Sequence, residues 1–238
     1  MSSVDQLNLY ENLSMQQTMK GWFQEMIGCE ANTEFKIATL QDKNAYVMYG
    51  IERSTCCERY LLCVCRPWDF TLSAGPAPGG AVIAQYRRDL KCLPYCFKCC
   101  CFQEVQVKDA SGINVGMVRE LSWTPYVPKY GLFNSTGDVQ THVLHQPTCY
   151  GGFFVNCCVE GFCNCRVPFY IYEANNDREG AQVGSITKVW AGATKELLSD
   201  ANTFEVTFPK VSDGNTKANV IGACFLINQI HFEGANGV

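Results

Sequence analysis

The last apolar stretch, residues 217–232, limits the fold more than any other part of the chain. It reads Lys-Ala-Asn-Val-Ile-Gly-Ala-Cys-Phe-Leu-Ile-Asn-Gln-Ile-His-Phe. Its apolar residues Val220, Ile221, Ala223, Cys224, Phe225, Leu226, Ile227 and Ile230 fall on every side of a helical wheel rather than in one stripe. Such a helix requires an apolar environment all round, so either it spans a bilayer or the chain wraps it. A span takes ~20 mainly apolar residues to cross a ~30 Å hydrocarbon layer, and this run is shorter. Asn219, Asn228 and Gln229 also interrupt it, and unpartnered amides are costly in lipid. The favoured reading is a central helix sheathed by protein, with a single-pass membrane helix as the alternative.

Between Gly28 and that helix the hydrophobic period is two. The β-rich runs are residues 35–38, 45–51, 60–64, 69–73, 81–86, 103–107, 115–120, 129–133, 139–144, 153–158, 167–172, 182–187 and 203–208. Turn-formers separate many of them, among them Asp109-Ala-Ser-Gly112 and Asn134-Ser-Thr-Gly137. In Phe204-Glu-Val-Thr-Phe208 the apolar and polar sets separate, and Val105 and Val107 alternate with Glu104, Gln106 and Lys108. One face is dry and the other wet, whereas a transmembrane barrel needs an apolar outer band. The predicted fold is mainly β, a closed antiparallel barrel of roughly a dozen strands, whose lumen admits a ~10 Å helix. Closure removes the edge strands and houses the central helix together.

Ahead of the barrel, Leu9, Leu13, Trp22, Phe23 and Met26 recur at roughly helical spacing, which predicts an amphipathic helix from Val4 to about Ile27 ending at Gly28. The domain organisation expected is an N-terminal helical segment, 1–28, and a barrel domain, 29–238. At 47% hydrophobic residues, 238 residues suffice for one large core. A net charge of −4 gives no electrostatic reason to expect nucleic acid as a partner. The first residues, Met-Ser-Ser-Val-Asp-Gln, carry no basic leader and no apolar run, so the chain is expected to stay in the cytosol. There the 16 cysteines point to lipidation, metal binding or packing rather than disulfides.

The densest cluster is Arg87-Arg-Asp-Leu-Lys-Cys92-Leu-Pro-Tyr-Cys96-Phe-Lys-Cys99-Cys100-Cys101-Phe. Thiols beside cations and interfacial aromatics are what reversible S-acylation requires, and several chains anchor where one is marginal. Palmitate on Cys92, Cys96, Cys99, Cys100 and Cys101 is one reading. The other is zinc, with Cys96-x-x-Cys99 joined by Cys157, Cys158, Cys163 or Cys165. The three histidines, His142, His145 and His231, lie in no nucleophile or zincin motif, so a hydrolase is a distant third function.

Five blocks in order carry a family resemblance. They are the cluster from Cys92 to Cys101, Phe102-Gln-Glu-Val-Gln-Val107, Val183-Gly-Ser-Ile-Thr-Lys-Val-Trp-Ala-Gly192, Asp200-Ala-Asn-Thr-Phe-Glu-Val-Thr-Phe-Pro209 and Ile221-Gly-Ala-Cys-Phe-Leu-Ile227. Together they resemble the phospholipid scramblase family, from about Leu9 to Glu233. The resemblance implies a tubby-like fold, a twelve-stranded barrel around a hydrophobic C-terminal helix, and palmitoylation of the five clustered cysteines. It implies calcium-stimulated, ATP-independent, bidirectional movement of phospholipids between leaflets, with no covalent catalytic step. Inner-leaflet phospholipids are the implied partners, with homo-oligomers possible. The implied location is the cytosolic face of the plasma membrane. Relatives often carry a proline-rich N-terminal segment, which this sequence lacks, so recruitment through one is not expected.

The family's calcium segment maps onto Asp200, Asn202, Phe204, Val206, Phe208 and Val211, of which only Asp200 and Asn202 offer side-chain oxygen. Calcium wants six or more oxygens, so Asp213, carbonyls or water must help, and affinity in the ~millimolar range is expected. The same residues read equally as a strand after a capped turn. The segment around Lys188 and Trp190 resembles a family nuclear-import motif, with Ser185 in place of a lysine. The alternative to scrambling is an acyl-anchored adaptor or lipid-binding module without intrinsic lipid movement.

Overall fold

The computed structural model describes residues 2–18, 32–62, 65–92, 101–122, 128–146, 166–175, 178–189 and 202–233. The alternating segments close into one antiparallel barrel. Its strands are β1 (Asn12–Gln17), β2 (Glu34–Thr39), β3 (Tyr46–Arg53), β4 (Trp68–Ala74), β5 (Val82–Arg88), β6 (Glu104–Asp109), β7 (Asn114–Glu120), β8 (Lys129–Phe133), β9 (Gln140–His145), β10 (Arg166–Asn175), β11 (Arg178–Val189) and β12 (Thr203–Thr207). Each pairs with its sequence neighbours, and β1 closes the ring by pairing with both β2 and β12. The predicted twelve-stranded barrel is therefore present, with an α-helix, α2 (Gly214–Ile227), continued by a π-helical turn (Asn228–Glu233), inside it.

Parity decides the core. Phe70, Leu72, Tyr86, Val105, Val107, Val118 and Val206 point inward and are buried, while Asp69, Gln85 and Arg87 alternate with them at the surface. The central helix is buried on all sides, Val220, Ile221, Leu226 and Ile227 completely, Phe225 and Ile230 to 3% exposure. Phe225 is the hub. Its ring stacks on Phe70 at 4.0 Å between centroids, meets Tyr86 edge-on at 5.2 Å and lies 5.4 Å from Phe35. No helix among the described residues is long and apolar enough to cross a membrane.

Asn219, Asn228, Gln229 and His231 each meet a partner on the sheath through one polar atom, while Asn219 Oδ1 and Gln229 Nε2 are buried without one. The Asn219 amide donates to the Phe133 carbonyl at 2.9 Å, Asn228 accepts from Asn202 at 2.9 Å, and Gln229 accepts from the Trp68 indole. His231 shares a hydrogen bond with the Tyr130 hydroxyl at 2.7 Å. Gly116 on β7 lies against Asn219 so closely that a β-carbon there would overlap the amide. Glycine leaves room for a polar side chain within a packed wall.

The amino terminus corrects the sequence reading. Ser3–Leu9 form a short 3-10 helix, with the Ser2 amide donating to Asp5 at 2.9 Å, but Asn12–Gln17 are strand β1 and not helix. Leu13 and Met15 face the core opposite Val206 and Phe204, and without them β2 and β12 would be left as bare edges. Sheet closure thus overrides the helical spacing of Leu9 and Leu13. Residues 12–17 are a barrel strand, and the 3-10 helix before them packs against the start of the central helix. Trp22, Phe23, Met26 and Gly28 lie outside the described residues.

One predicted strand is also a helix. The β-rich run 60–64 predicts a strand, yet Cys56–Leu62 form helix α1. A capping box begins it: Thr55 Oγ1 accepts the Glu58 amide at 3.2 Å, and Glu58 Oε2 accepts the Thr55 amide at 2.7 Å. Thr55-x-x-Glu58 is a legible helix-start signal. The predicted run 153–158 lies outside the described residues.

Because Phe225 fills the space between three rings, Phe225→Ala is expected to cost about 3–5 kcal/mol of unfolding free energy, read by urea denaturation. Leu9→Ser, at an exposed side chain, is expected to change stability by less than ~0.5 kcal/mol. Equal effects of the two substitutions would contradict the sheathed-helix account.

Candidate functional site: the cysteine-bearing rim

In a meander of antiparallel strands the connections fall alternately at the two ends. One rim holds short turns, such as Asp109 to Ile113 and Asn134 to Val139, closed by Gly112 and Gly137 at φ of 81° and 78°. The other rim holds the starts of β2, β4, β6, β8, β10 and β12 and the ends of the strands before them. Of the 16 cysteines, all but Cys224 fall in sequence between strand ends that meet at this second rim. Cys224 is buried at the helix centre, where burial pushes its thiol up out of the physiological range.

The two mouths are closed differently. At the turn rim the 3-10 helix lies over the start of α2. Lys217 Nζ donates to the carbonyls of Leu7, Asn8 and Tyr10 at 3.3, 3.4 and 2.6 Å, so a helical cation caps the end of the lid. Burial lowers this lysine's pKa. At the cysteine rim a buried polar set closes the mouth. Arg66 grips Glu52 with Nε to Oε1 at 2.9 Å and Nη2 to Oε2 at 3.1 Å. Burial alone would raise the Glu52 carboxyl, but the Arg66 charge and hydrogen bonds hold it below the usual carboxylate range. Arg88 donates to the Arg66 carbonyl and to Gln103 Oε1. The Gln103 amide donates to Glu120 at 3.3 Å.

This network positions the described ends of the cysteine cluster. Gln103 Nε2 donates to the Cys92 carbonyl at 3.1 Å, the Lys91 amide to the Cys65 carbonyl at 3.2 Å, and the Cys92 amide to Cys101 Sγ at 3.0 Å. Cys92 is exposed and Cys101 half-buried. Desolvation opposes ionisation of Cys101, but hydrogen bonds from Cys92 and the charges of Lys91 and Arg88 prevail and lower its pKa. A thiol so held has more thiolate, the form that attacks an acyl donor. Cys96, Cys99 and Cys100, and the zinc alternative's Cys157, Cys158, Cys163 and Cys165, lie outside the described residues. Among the described residues no group of three or more metal-ligating side chains comes together.

The two calcium candidates among the described residues, Asn202 and Asp213, stand apart. The Asn202 amide group donates to Gln17 at 3.2 Å and Asn228 at 2.9 Å, beside the end of the central helix. Asp213 caps the helix start, its Oδ1 accepting the Thr216 amide at 2.8 Å. Residues 213 and 228 lie at opposite ends of a helix rising 1.5 Å per residue, roughly 22 Å apart. Asn202 and Asp213 therefore do not fit one ion. Asp200 lies outside the described residues, and Val211 is 94% exposed.

Sequence reasoning missed Lys217 as a latch and the Glu52, Arg66, Arg88 and Gln103 network. Parity held the signal for two of them: Glu52 follows the inward residues Met48 and Gly50, and Arg88 follows Ala84 and Tyr86. His142 Nδ1 lies 3.1 Å from the Thr141 hydroxyl, and His145 stacks on Tyr172 with its Nδ1 2.8 Å from the Gln146 carbonyl. Lys188 sits 4.4 Å over the Phe232 ring, and Trp190 lies outside the described residues.

Comparison with known proteins bears on this rim. A family model described as Scramblase matches residues 2–234. Phospholipid scramblase 1 of Mus musculus is 30% identical over 233 residues, covering 98% of this chain and 62% of that protein. Phospholipid scramblase 2 of Bos taurus is 29% identical over 237 residues, covering 100% of this chain and 71% of that protein. Phospholipid scramblase family member 5 of Homo sapiens is 26% identical over 208 residues, covering 87% and 69%. The chain spans less than two thirds of the mouse relative's length. No solved structure matches. With the match running from the lid over one mouth to the end of the enclosed helix, the chain belongs to the scramblase family.

Proposed function

We propose that the protein moves phospholipids between membrane leaflets in both directions, without ATP and under calcium stimulation. The carrying observation is the family match over residues 2–234. Acyl chains on Cys92, Cys96, Cys99, Cys100 and Cys101 hold it, in this reading, at the cytosolic face of the plasma membrane. The meeting at one rim of the strand ends that flank these cysteines supports this, because chains attached along one rim enter a bilayer together.

A phospholipid headgroup crossing dry hydrocarbon meets a barrier that a scramblase must lower. The lumen is filled by the central helix, so the reading places the lipid path outside the barrel, where rim and acyl chains, singly or in an oligomer, deform the leaflet. The filled lumen also favours a second reading, an acyl-anchored adaptor that moves no lipid. Liposomes holding the purified protein, fluorescent lipid and an outer-leaflet quencher separate the two. Scrambling predicts loss of the protected half of the fluorescence on adding calcium, and retention of that half would establish the adaptor.

Anchoring has its own test. Replacing all five clustered cysteines by Ser is expected to move the cellular protein from the membrane to the soluble fraction. The wild-type protein should lose acyl mass on hydroxylamine treatment. Bound zinc with no hydroxylamine-sensitive mass would overturn the acyl anchor in favour of thiolate ligation.

Calcium stimulation is kept in the proposal without the Asn202 and Asp213 site, whose residues stand at opposite ends of the helix. Asp213→Ala removes an N-cap and is expected to lower stability by about 1 kcal/mol. The calcium dependence of scrambling should stay unchanged. A shift of that dependence in a variant folded as wild type would restore Asp213 as a ligand.

A further inference from the structure

We propose that Cys92 and Cys101 form a redox pair, a modification site at which a peroxide joins the two sulfurs in a disulfide. Both thiols are free. The fold brings them together in advance. The Cys92 amide donates to Cys101 Sγ at 3.0 Å, and the Cys92 thiol is hydrogen-bonded to the same sulfur. With an N–Cα bond of ~1.46 Å, Cys101 Sγ lies within roughly 4.5 Å of the Cys92 α-carbon, so a turn about χ1 of Cys92 lays one sulfur on the other. The two α-carbons then stand at about the 4.4–6.8 Å that a disulfide spans without backbone movement.

Gln103 fixes the pair. It is fully buried, and its side chain accepts from Arg88 and donates from Nε2 to the Cys92 carbonyl at 3.1 Å. Its main chain donates to Glu120 at 3.3 Å and carries Cys101 two residues upstream. One buried residue thus holds both cysteines, Cys92 by a hydrogen bond and Cys101 through the chain. Access to the two sulfurs is graded, Cys92 being exposed and Cys101 half-buried. A solvent-accessible thiol poised beside a second one is the arrangement of redox sensors. Disulfides of that kind in reducing compartments are transient rather than structural.

The reaction balances with hydrogen peroxide as the oxidant. The Cys101 thiolate, held by the Cys92 amide, attacks one peroxide oxygen. An S–O bond forms, the O–O bond breaks, and the departing hydroxide leaves as water with the proton that the thiol gave up. The Cys92 sulfur then attacks the sulfenic sulfur, so that an S–S bond forms and the S–O bond breaks. The second hydroxide leaves as water with the Cys92 proton. Two thiols have lost two electrons and one peroxide has become two waters. A dithiol reductant reverses the bond by thiolate exchange. Cys92 and Cys101 are the first and last cysteines of the cluster, so one bond withdraws two of its five thiols from thioester formation. That consequence rests on the acyl-anchor reading, whereas the bond itself does not.

Peptide mass mapping of the full chain tests it, after hydroxylamine and dithiothreitol have freed the thiols. In the variant C96S/C99S/C100S, Cys92 and Cys101 are the remaining cysteines of the cluster, and trypsin, cutting after Lys91, Lys98 and Lys108, places them on peptides 92–98 and 99–108. Hydrogen peroxide is expected to leave these two peptides joined, and dithiothreitol to part them. In C92S, which lacks the second thiol, the same treatment should leave Cys101 as a sulfenic acid captured by dimedone. Matching thermal unfolding of both variants and the wild type confirms that the pairing is read on the folded chain. Cys92 and Cys101 still alkylated by iodoacetamide after peroxide would overturn the proposal. So would Cys101 joined to Cys57, Cys65 or a second chain instead of Cys92. Incubation with palmitoyl-coenzyme A then reads the consequence: the reduced peptides should gain palmitate and the joined pair none. A joined pair whose reduced peptides take no palmitate would sustain the redox pair and count against the acyl anchor, so the two failures are told apart.

Discussion

A helix that is apolar on every face has no stable position at a surface, and the barrel exists to enclose one. Closure of twelve strands and burial of α2 are two sides of the same requirement. A smooth apolar rod in an apolar tube has no preferred depth or rotation, however, so packing alone leaves its register loose. Here Lys217 is tied to the lid and Asn219 to β8 near the turn rim, while Asn228, Gln229 and His231 are tied to the wall near the other. Five polar residues that weaken the case for a membrane span thus set where the rod sits. A few buried polar contacts specifying register is the best-attested use of such groups.

The barrel and its contents were legible because period two and all-round hydropathy are local signals. Eleven of the strands match predicted runs, and the helix was placed within three residues of its observed start. β1 was not legible, because Leu9 and Leu13 fit a helical face as well as Leu13 and Met15 fit a strand. What decided between them was a vacancy between β2 and β12, which no local window contains. Helix α1 is legible through the Thr55 and Glu58 capping pair, a signal that the period-two reading of residues 60–64 does not use. At the site, the reading found the cysteines and missed the groups that position them. Glu52 and Arg88 are charged types that are usually exposed, yet strand parity places both inside the mouth.

Topology turns a scattered sequence feature into a surface. Strict alternation of strand direction sends every second connection to the same rim. Cysteines recurring after β1, β3, β5 and β9 consequently fall in sequence between strand ends that meet at one rim, although they are far apart along the chain. The short turns at the opposite rim carry none. The rim that holds the thiols is also the one whose mouth is closed by Glu52, Arg66, Arg88 and Gln103, a rigid charged floor beneath the connections. Cys92 is hydrogen-bonded to that floor through Gln103, and Cys101 to Cys92.

The same floor bears on whether the helix can leave. Withdrawing α2 would uncover Val220, Ile221, Phe225, Leu226, Ile227 and Ile230, at about 1.5–3 kcal/mol each, or roughly 9–18 kcal/mol in all. That matches or exceeds the ~5–15 kcal/mol that holds a typical domain together. Insertion of the helix into lipid offsets only the helix's share. The wall it leaves behind, with Phe35, Phe70, Leu72, Tyr86 and Val107 facing an empty lumen, remains uncovered, and Lys217, Asn219 and Gln229 lose their partners. Helix withdrawal is therefore close to unfolding the barrel, and a barrel that stays folded keeps its lumen closed to lipid. The filled lumen of the folded barrel therefore offers no path for a lipid, and what the barrel presents to a membrane is its rim and outer wall.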